Sequence, residues 1–245
     1  MNNRPTYIAS CSFGKDSLAT ILLALEHNEP LDRAVFCEVM FDHERGISGE
    51  LPEHIEWVHN VAIPKLESWG IPVDVVKSKS DYVSLCRRVI TKGVKQGCMY
   101  GVQNCFPCYA NSELKIKPLT EYFRGKNVIQ YVGIGANEKK RLQRLTPRKI
   151  SLLAKYRHST SYAMYLCEKN NLLSPCYQMD NRVGCWFCYN ARLSRYAHIK
   201  KNYPEYWQAL QELYHQTNSK YFKYNKTFQQ IDRRLDFEER QLKLF

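Results

Sequence analysis

One stretch limits what this chain can fold into. Tyr7-Ile8-Ala9-Ser10-Cys11 is a short apolar run, Ser12-Phe13-Gly14 is a small turn, and Asp16 to Leu25 is helix-forming throughout. The order is strand, tight loop, helix N-terminus. It aims free backbone N–H groups and the positive end of the helix dipole at one spot, where a phosphate fits. Gly14 permits torsions closed to other residues. Lys15 adds a mobile cation, Ser12 and Ser17 add hydroxyl donors, and Asp16 is placed to cap the helix. The same residues also describe an ordinary βα turn that carries Gly and Lys. The stretch is not a Walker A loop, which needs four residues between its glycines.

The segments that follow read as an α/β alternation. Leu31 to Phe41 is nearly continuous in apolar residues, as strands of a parallel sheet are. Glu38 interrupts it near the carboxyl end, a position suited to a ligand hydroxyl or a metal. Pro52 suits a first helical turn, and Ile55, Val58, Ala62, Leu66 and Trp69 repeat at helical spacing. His54 reads as a surface or capping residue. Further strands fall at Val73–Val76 and Val128–Gly135, and helices at 81–90 and 161–169. The fold class is therefore α/β, a doubly wound parallel sheet with helices on both faces, its ligand lying beyond the carboxyl ends of the strands. The sequence is divided into an α/β domain at 1–160 and a Cys-rich helical region at 161–245.

The chain has 245 residues and ten cysteines. Cys11, Cys37, Cys86 and Cys167 sit in apolar segments and read as buried hydrophobes. Cys105-Phe106-Pro107-Cys108 and Cys185-Trp186-Phe187-Cys188 are two Cys-x-x-Cys pairs. Each puts two thiols on one face of a turn, and two pairs make a four-thiolate metal site once the fold joins them. Zinc and an iron–sulfur cluster both accept four cysteines. Cys176 or Cys98 could replace one member. A redox dithiol, or thiols without metal, is the competing reading.

The formal net charge of +12 attracts polyanions, either a nucleotide or nucleic acid. The N-terminal residues lack an apolar secretory core, and no run approaches a membrane span. The expected location is the cytoplasm, with no membrane contact. Tyr221, Phe222, Tyr224 and Phe228 read as packing residues rather than base-stacking platforms.

Ser12-Phe13-Gly14-Lys15-Asp16-Ser17 resembles the S-G-G-K-D-S signature of the PP-loop ATP pyrophosphatases, with Phe13 in place of the first glycine. Leu114-Lys115-Ile116-Lys117-Pro118-Leu119 resembles the L-K-I-x-P-L stretch of the phosphoadenosine-phosphosulfate (PAPS) reductase-like branch, where a helix carries a basic residue towards the substrate. Gly133-Ile134-Gly135-Ala136-Asn137-Glu138-Lys139-Lys140-Arg141 resembles the family's G-I-x-A-x-E-x-x-R motif. Arg182-Val183-Gly184-Cys185-Trp186-Phe187-Cys188 resembles its R-x-G-C-W-x-C-P element, also present in the DNA phosphorothioation sulfurtransferases, which use an iron–sulfur cluster.

The resemblance covers most of the chain to about Leu213. It implies a Rossmann-like PP-loop domain that binds ATP or a related adenine nucleotide with Mg2+. Ser12, Phe13, Gly14, Lys15, Asp16, Ser17, Glu38, Gly133 and Glu138 would hold the nucleotide, and Lys15, Asp16 and Arg141 would act in catalysis. Phe13 would leave less room for the phosphate. Cys105, Cys108, Cys185 and Cys188 would bind a [4Fe–4S] cluster or Zn2+ beside it. Two chemistries fit: ATP cleavage to AMP and pyrophosphate for sulfur transfer, with a sulfur-donor protein and nucleic acid as partners, or reduction of an activated sulfate. The reductase needs a nucleophilic cysteine on a mobile tail, and none follows Cys188, which favours sulfur transfer. The alternative is a nucleic-acid-binding module with a structural zinc and a non-catalytic nucleotide pocket.

Overall fold

The computed structural model describes residues 4–242. In chain order the elements are β1 (Thr6–Ser10), α1 (Lys15–Glu26), β2 (Arg33–Glu38), β3 (Met40–Asp42), β4 (Ile47–Ser48), α2 (Pro52–Trp57), α3 (Ile63–Ser68) and β5 (Val73–Lys77). A π-helical turn (Val58–Ala62) joins α2 to α3. Then come α4 (Tyr82–Arg87), α5 (Tyr109–Asn111), a second π turn (Ser112–Ile116), α6 (Lys117–Phe123), β6 (Val128–Val132), α7 (Lys139–Leu142), β7 (Lys149–Ile150), α8 (Leu152–Lys155) and α9 (Thr160–Lys169). After a 3-10 turn (Pro175–Gln178) the chain ends in α10 (Leu193–Asn202), α11 (Pro204–Gln216) and α12 (Phe228–Leu242).

These elements fall into two compact units that interleave along the chain. The first takes residues 4–38, 52–77 and 118–178; the second takes 39–51, 78–117 and 179–242. The sequence suggests a single cut near residue 160. Instead the chain leaves the first unit after Glu38, in the middle of an apolar run that carries no linker composition. The run 31–41 is accordingly two strands, β2 in the first unit and β3 in the second.

The first unit is α/β. Its sheet has five parallel strands in the order β5-β2-β1-β6-β7. Successive side chains alternate between faces, as strand geometry requires. Ala9, Ala34 and Phe36 turn to a core shared with α1, the turn at Val58–Ala62, α8 and α9. Ile8, Val35 and Val128 turn to the other face, where Leu119, Tyr122 and Phe123 of α6 cover them. Helices on both faces make the unit compatible with a doubly wound fold. Helix α1 is buried over most of its length, from Ser17 to Ala24, which its run of Leu, Ile and Ala permits.

The second unit is organised around aromatic rings. Phe41, Tyr82, Trp186 and Phe187 form one cluster, with Phe41–Trp186 centroids 4.6 Å apart and Tyr82 stacked on Phe187 at 4.0 Å. Trp207, Phe222 and Phe228 form another, and both phenylalanines are fully buried. Packing is thus the role of Phe222 and Phe228, whereas Tyr224 stays exposed. Asp81 caps α4, accepting the N–H of Ser84 at 2.7 Å and that of His43 at 2.8 Å. The helix expected over 81–90 ends at Arg87, and Val89 pairs with Met99 instead. Among the described residues no helix is long and apolar enough to cross a membrane.

Candidate functional site

The loop between β1 and α1 is held from three sides within the first unit. Phe13, not Gly14, carries its left-handed backbone, with φ 54°. Gly14 is extended at φ −77°, a conformation any residue adopts. A left-handed backbone on a residue with a Cβ costs about 1–3 kcal/mol, and burial of the ring offsets it. The Phe13 ring is fully buried in the sheet core, edge-on to Phe36 at 5.2 Å. The ring therefore lies in the core rather than across the loop, which corrects the expectation that it narrows the phosphate space.

Ser17 closes the loop instead of serving as an open donor. Its hydroxyl accepts the Ser12 N–H at 3.2 Å and donates to the Gly14 carbonyl at 2.8 Å. Asp16 is not the cap: the N-cap is Gly14, without a side-chain cap bond, and the Asp16 carboxylate pairs with the Lys15 ammonium at 2.7 Å. That ammonium also donates to the Thr160 carbonyl at 3.1 Å. The Lys15 N–H donates to the Tyr177 hydroxyl at 2.9 Å. Burial pushes that phenol up to about 12, so it stays protonated. The N–H groups of Gly14 and Asp16 have no hydrogen-bond partner among the described residues.

His54 is a loop-holding residue that the sequence does not reveal. It is fully buried rather than superficial, with Nδ1 2.9 Å from the Ser174 hydroxyl and Nε2 3.3 Å from the Ser12 carbonyl. A carbonyl only accepts, so Nε2 carries the proton in that contact. Cys167 adds a bond from its thiol to the Lys15 carbonyl at 3.2 Å, and burial pushes its pKa up to about 12.

Gly133 explains where the loop sits. A Cβ there would lie 2.6 Å from the backbone of Asp16 and Ser17. The glycine just past β6 thus admits the first turn of α1, not a ligand. Gly135 is likewise filled, by Asn137 and Thr160. Glu138 accepts the Gly135 N–H at 3.0 Å and the Arg141 guanidinium at 2.7 Å. Burial alone would raise the Glu138 carboxyl, but Arg141, the Gly135 N–H and Lys15 together hold it below the ordinary range. Arg141 keeps an exposed face. Glu38 is buried at the end of β2 and already paired, with Lys77 at 3.0 Å and His59 at 3.4 Å.

The thiols divide. Cys108, Cys185 and Cys188 line one cavity of about 120 Å³ in the second unit, together with Lys115, Glu50 and Tyr82. Cys105 is exposed and does not line it. Cys98 is exposed too, and Cys176 is buried in the first unit. Cys11, Cys37, Cys86 and Cys167 are buried, as their apolar settings suggest. Among the described residues, no three His, Cys, Asp or Glu side chains converge closely enough to hold one metal ion.

The cavity wall is rigidly mounted. Cys108 caps α5, its sulfur accepting the Asn111 N–H at 3.5 Å. The Cys185–Cys188 turn is closed by the Cys188 N–H on the Cys185 carbonyl at 3.2 Å. Arg195 is fully buried, bound to Asp180 through Nε at 3.0 Å and Nη2 at 2.6 Å, and donates to the carbonyls of Arg182, Gly184 and Cys185. Tyr196 donates to the Cys188 carbonyl at 2.5 Å, and Lys223 to those of Tyr189 and Ala191. Burial pushes the Cys108 and Cys185 thiols up; neighbouring Cys188 adds to this in both, Glu50 raises Cys185 further, and Lys115 opposes the rise at Cys185. Arg195 and Lys223 are invisible to motif reading because their role is to satisfy backbone carbonyls, and Asp180 because it pairs with the buried Arg195.

The described residues thus define an α/β protein with a five-stranded parallel sheet, a held loop at a helix N-terminus, and a thiol-lined cavity. No family model matches the chain, and no curated protein matches it.

Proposed function

We propose that the chain is a nucleotide-dependent transferase of the PP-loop, PAPS reductase-like kind, which cleaves ATP to AMP and pyrophosphate to activate a substrate for sulfur transfer. The observation that carries this reading is Phe13. The backbone there keeps the left-handed turn that the signature's first glycine would make, and the ring is stored in the core. The Gly14 and Asp16 amides, the first buried and the second on the half-buried opening turn of α1, carry no hydrogen bond among the described residues and would be the ones to meet an anion. The helix dipole, the Lys15 ammonium and the exposed side of Arg141 add positive charge at the same end of the unit. A phosphoryl group arriving there would exchange the Lys15–Asp16 pair for its own contact with Lys15. That frees the Asp16 carboxylate for the Mg2+ the nucleotide carries.

Cys108, Cys185 and Cys188 line one cavity, but among the described residues no three metal-ligating side chains converge on a point, so the donor set does not choose between Zn2+ and an iron–sulfur cluster. The resemblance to the phosphorothioation sulfurtransferases is what supports a cluster, which would supply soft, redox-active iron for handling sulfur.

Purified protein incubated with ATP, Mg2+ and candidate acceptors should release AMP and pyrophosphate. Neither product with any acceptor would remove the enzymatic reading. A second reading, a nucleic-acid-binding module, is favoured by the exposed series Lys139, Lys140, Arg141, Arg144, Arg148 and Lys149. It predicts salt-dependent nucleic-acid binding that survives Lys15→Ala.

A further inference from the structure

Beyond α4 the second unit puts out a short hairpin. Val89 pairs with Met99, the Tyr100 N–H donates to the Arg88 carbonyl at 2.9 Å, and the Ile90 N–H donates to the Cys98 carbonyl at 2.8 Å. Gly93 and Gly97 bend the tip, with φ 89° and 83°. From 87 to 100 every residue is exposed except Ile90, which is half-buried. Strand side chains alternate between faces, so Val89 and Met99 stand opposite Ile90. Val94 at the tip is fully open to solvent. Tyr100 meets Tyr109 edge-on at 5.5 Å, and Gln103 ties the loop between them through the Pro107 carbonyl and the Tyr109 N–H, both at 3.0 Å. That loop carries Phe106, whose ring is 84% exposed and meets no other ring among the described residues. Single exposed apolar side chains are ordinary, but a group of them marks an interaction surface. The charge around them has one sign: from 87 to 106 there are four Arg or Lys and no Asp or Glu. Arg87 donates to Gln216 at 2.6 Å and Arg88 lies 3.9 Å from Glu113. The ammonium groups of Lys92 and Lys95 have no hydrogen bond or ion pair among the described residues.

We propose that the hairpin 87–100 and the loop bearing Phe106 form a docking arm for single-stranded nucleic acid. Lys92 and Lys95 take phosphates, and unpaired bases stack on Phe106 and on the exposed side of Tyr100. Free cations beside open rings suit a chain of phosphates that carries flat bases. A duplex keeps its bases stacked inside and offers a ring no face, so the partner is a single strand. A membrane anchor needs one broad apolar face, and these side chains stand apart on a ribbon and a loop. The inference does not rest on ATP cleavage: the arm belongs to the second unit, and none of its residues is among those proposed to meet the nucleotide. It is also separate from the basic series 139–149, which lies in the first unit.

The test is titration of a fluorescein-labelled oligothymidylate of about 20 nucleotides, longer than one single-strand site, with the full chain, read by anisotropy over a range of salt. Wild type should bind, with affinity falling as salt rises. Lys92→Gln combined with Lys95→Gln should weaken binding and flatten the slope of log affinity against log salt by about 1.4, the share of two phosphate contacts on a single strand. Phe106→Ala should weaken binding about tenfold, the size of one lost base stack. Phe106→Trp should keep the affinity, and its added indole emission should be quenched on binding, a signature that a packing role would not give. All three residues are exposed, so the variants should unfold at the wild-type midpoint and bind ADP as wild type does. No binding at low salt, equal binding by every variant, preference for a duplex of the same length, or association only with vesicles of phosphatidylcholine and phosphatidylserine overturns the proposal. Wild type that binds the oligonucleotide as described but not ADP overturns the nucleotide reading and leaves the arm standing.

Discussion

The Tyr177 hydroxyl accepts the backbone N–H of Lys15 at 2.9 Å, joining residues 162 positions apart at the first turn of α1. One of the helix's unpaired N–H groups is therefore satisfied by a side chain from the end of the first unit, and the neighbouring Gly14 and Asp16 amides are left without a hydrogen bond among the described residues. Tyr177→Phe should cost about 1 kcal/mol, the net worth of one such bond, seen as a lower thermal unfolding midpoint. Affinity for ADP, measured by calorimetry, should hold or rise, because the loop regains a donor. A fall in affinity would place the hydroxyl among the ligand's own contacts.

Phe13 separates backbone strain from burial. Phe13→Ala removes the ring and keeps the Cβ in a left-handed backbone, so it should destabilise by about 3–5 kcal/mol. Phe13→Gly loses the same ring but relieves the strain, and should be about 1 kcal/mol more stable than the alanine variant. Urea unfolding of both variants checks the order. Alanine equal to or better than glycine would contradict the account of φ 54° at this position.

His54 and Ser12 meet below the loop, so His54→Ala should loosen it. The expected outcome is a loss of about 1–3 kcal/mol from the orphaned Ser12 carbonyl and Ser174 hydroxyl together with weaker nucleotide binding. Nucleotide affinity unchanged while stability falls would limit His54 to packing.

Arg195 tests the mounting of the thiol turn. Removing one partner of a buried ion pair typically costs about 3–5 kcal/mol, whereas replacing both partners with apolar residues can be neutral. Arg195→Met should lose bound metal and stability. Adding Asp180→Leu should recover stability but not metal, because the carbonyls of Gly184 and Cys185 still lack their donor. Full recovery of metal in the double variant would show that the arginine serves the ion pair alone.

Asp81 gives a pH dependence with a definite sign. Burial pushes its carboxyl up, but the N–H groups of His43 and Ser84 outweigh this and hold it below its usual 3.8. A depressed folded value adds stability above the unfolded value, and that stability is lost as pH falls through the folded one. Asp81→Asn can serve one of the two N–H groups with its single carbonyl oxygen. It should be about 1 kcal/mol less stable than wild type at neutral pH, with the gap narrowing below about pH 4. A gap that stays constant from neutral to acid would refute the assignment.

The parallel sheet was legible because its strands are apolar runs with period-2 faces, and α1 because nothing in Asp16 to Leu25 resists a helix. The exchange between units after Glu38 was hidden because Val39-Met40-Phe41 continues the apolar run without a break. The loop residues were legible as a set, but their roles were not. A left-handed phenylalanine carries no sequence mark, and Gly133 looks open until the Asp16 backbone is placed against it. The two Cys-x-x-Cys pairs stand out at once, yet spacing cannot tell that Cys105 turns outward. The backbone of that loop is tied by the Gln103 amide, which donates to the carbonyls of Cys105 and Pro107.

Calorimetric titration of wild type and Lys15→Ala with Mg-ATP tests the central claim most directly. Saturable binding to wild type, weakened at least about tenfold in the variant by loss of the charge-assisted phosphate contact, is the predicted result. No binding to the wild-type chain, or equal binding by both proteins, would contradict it.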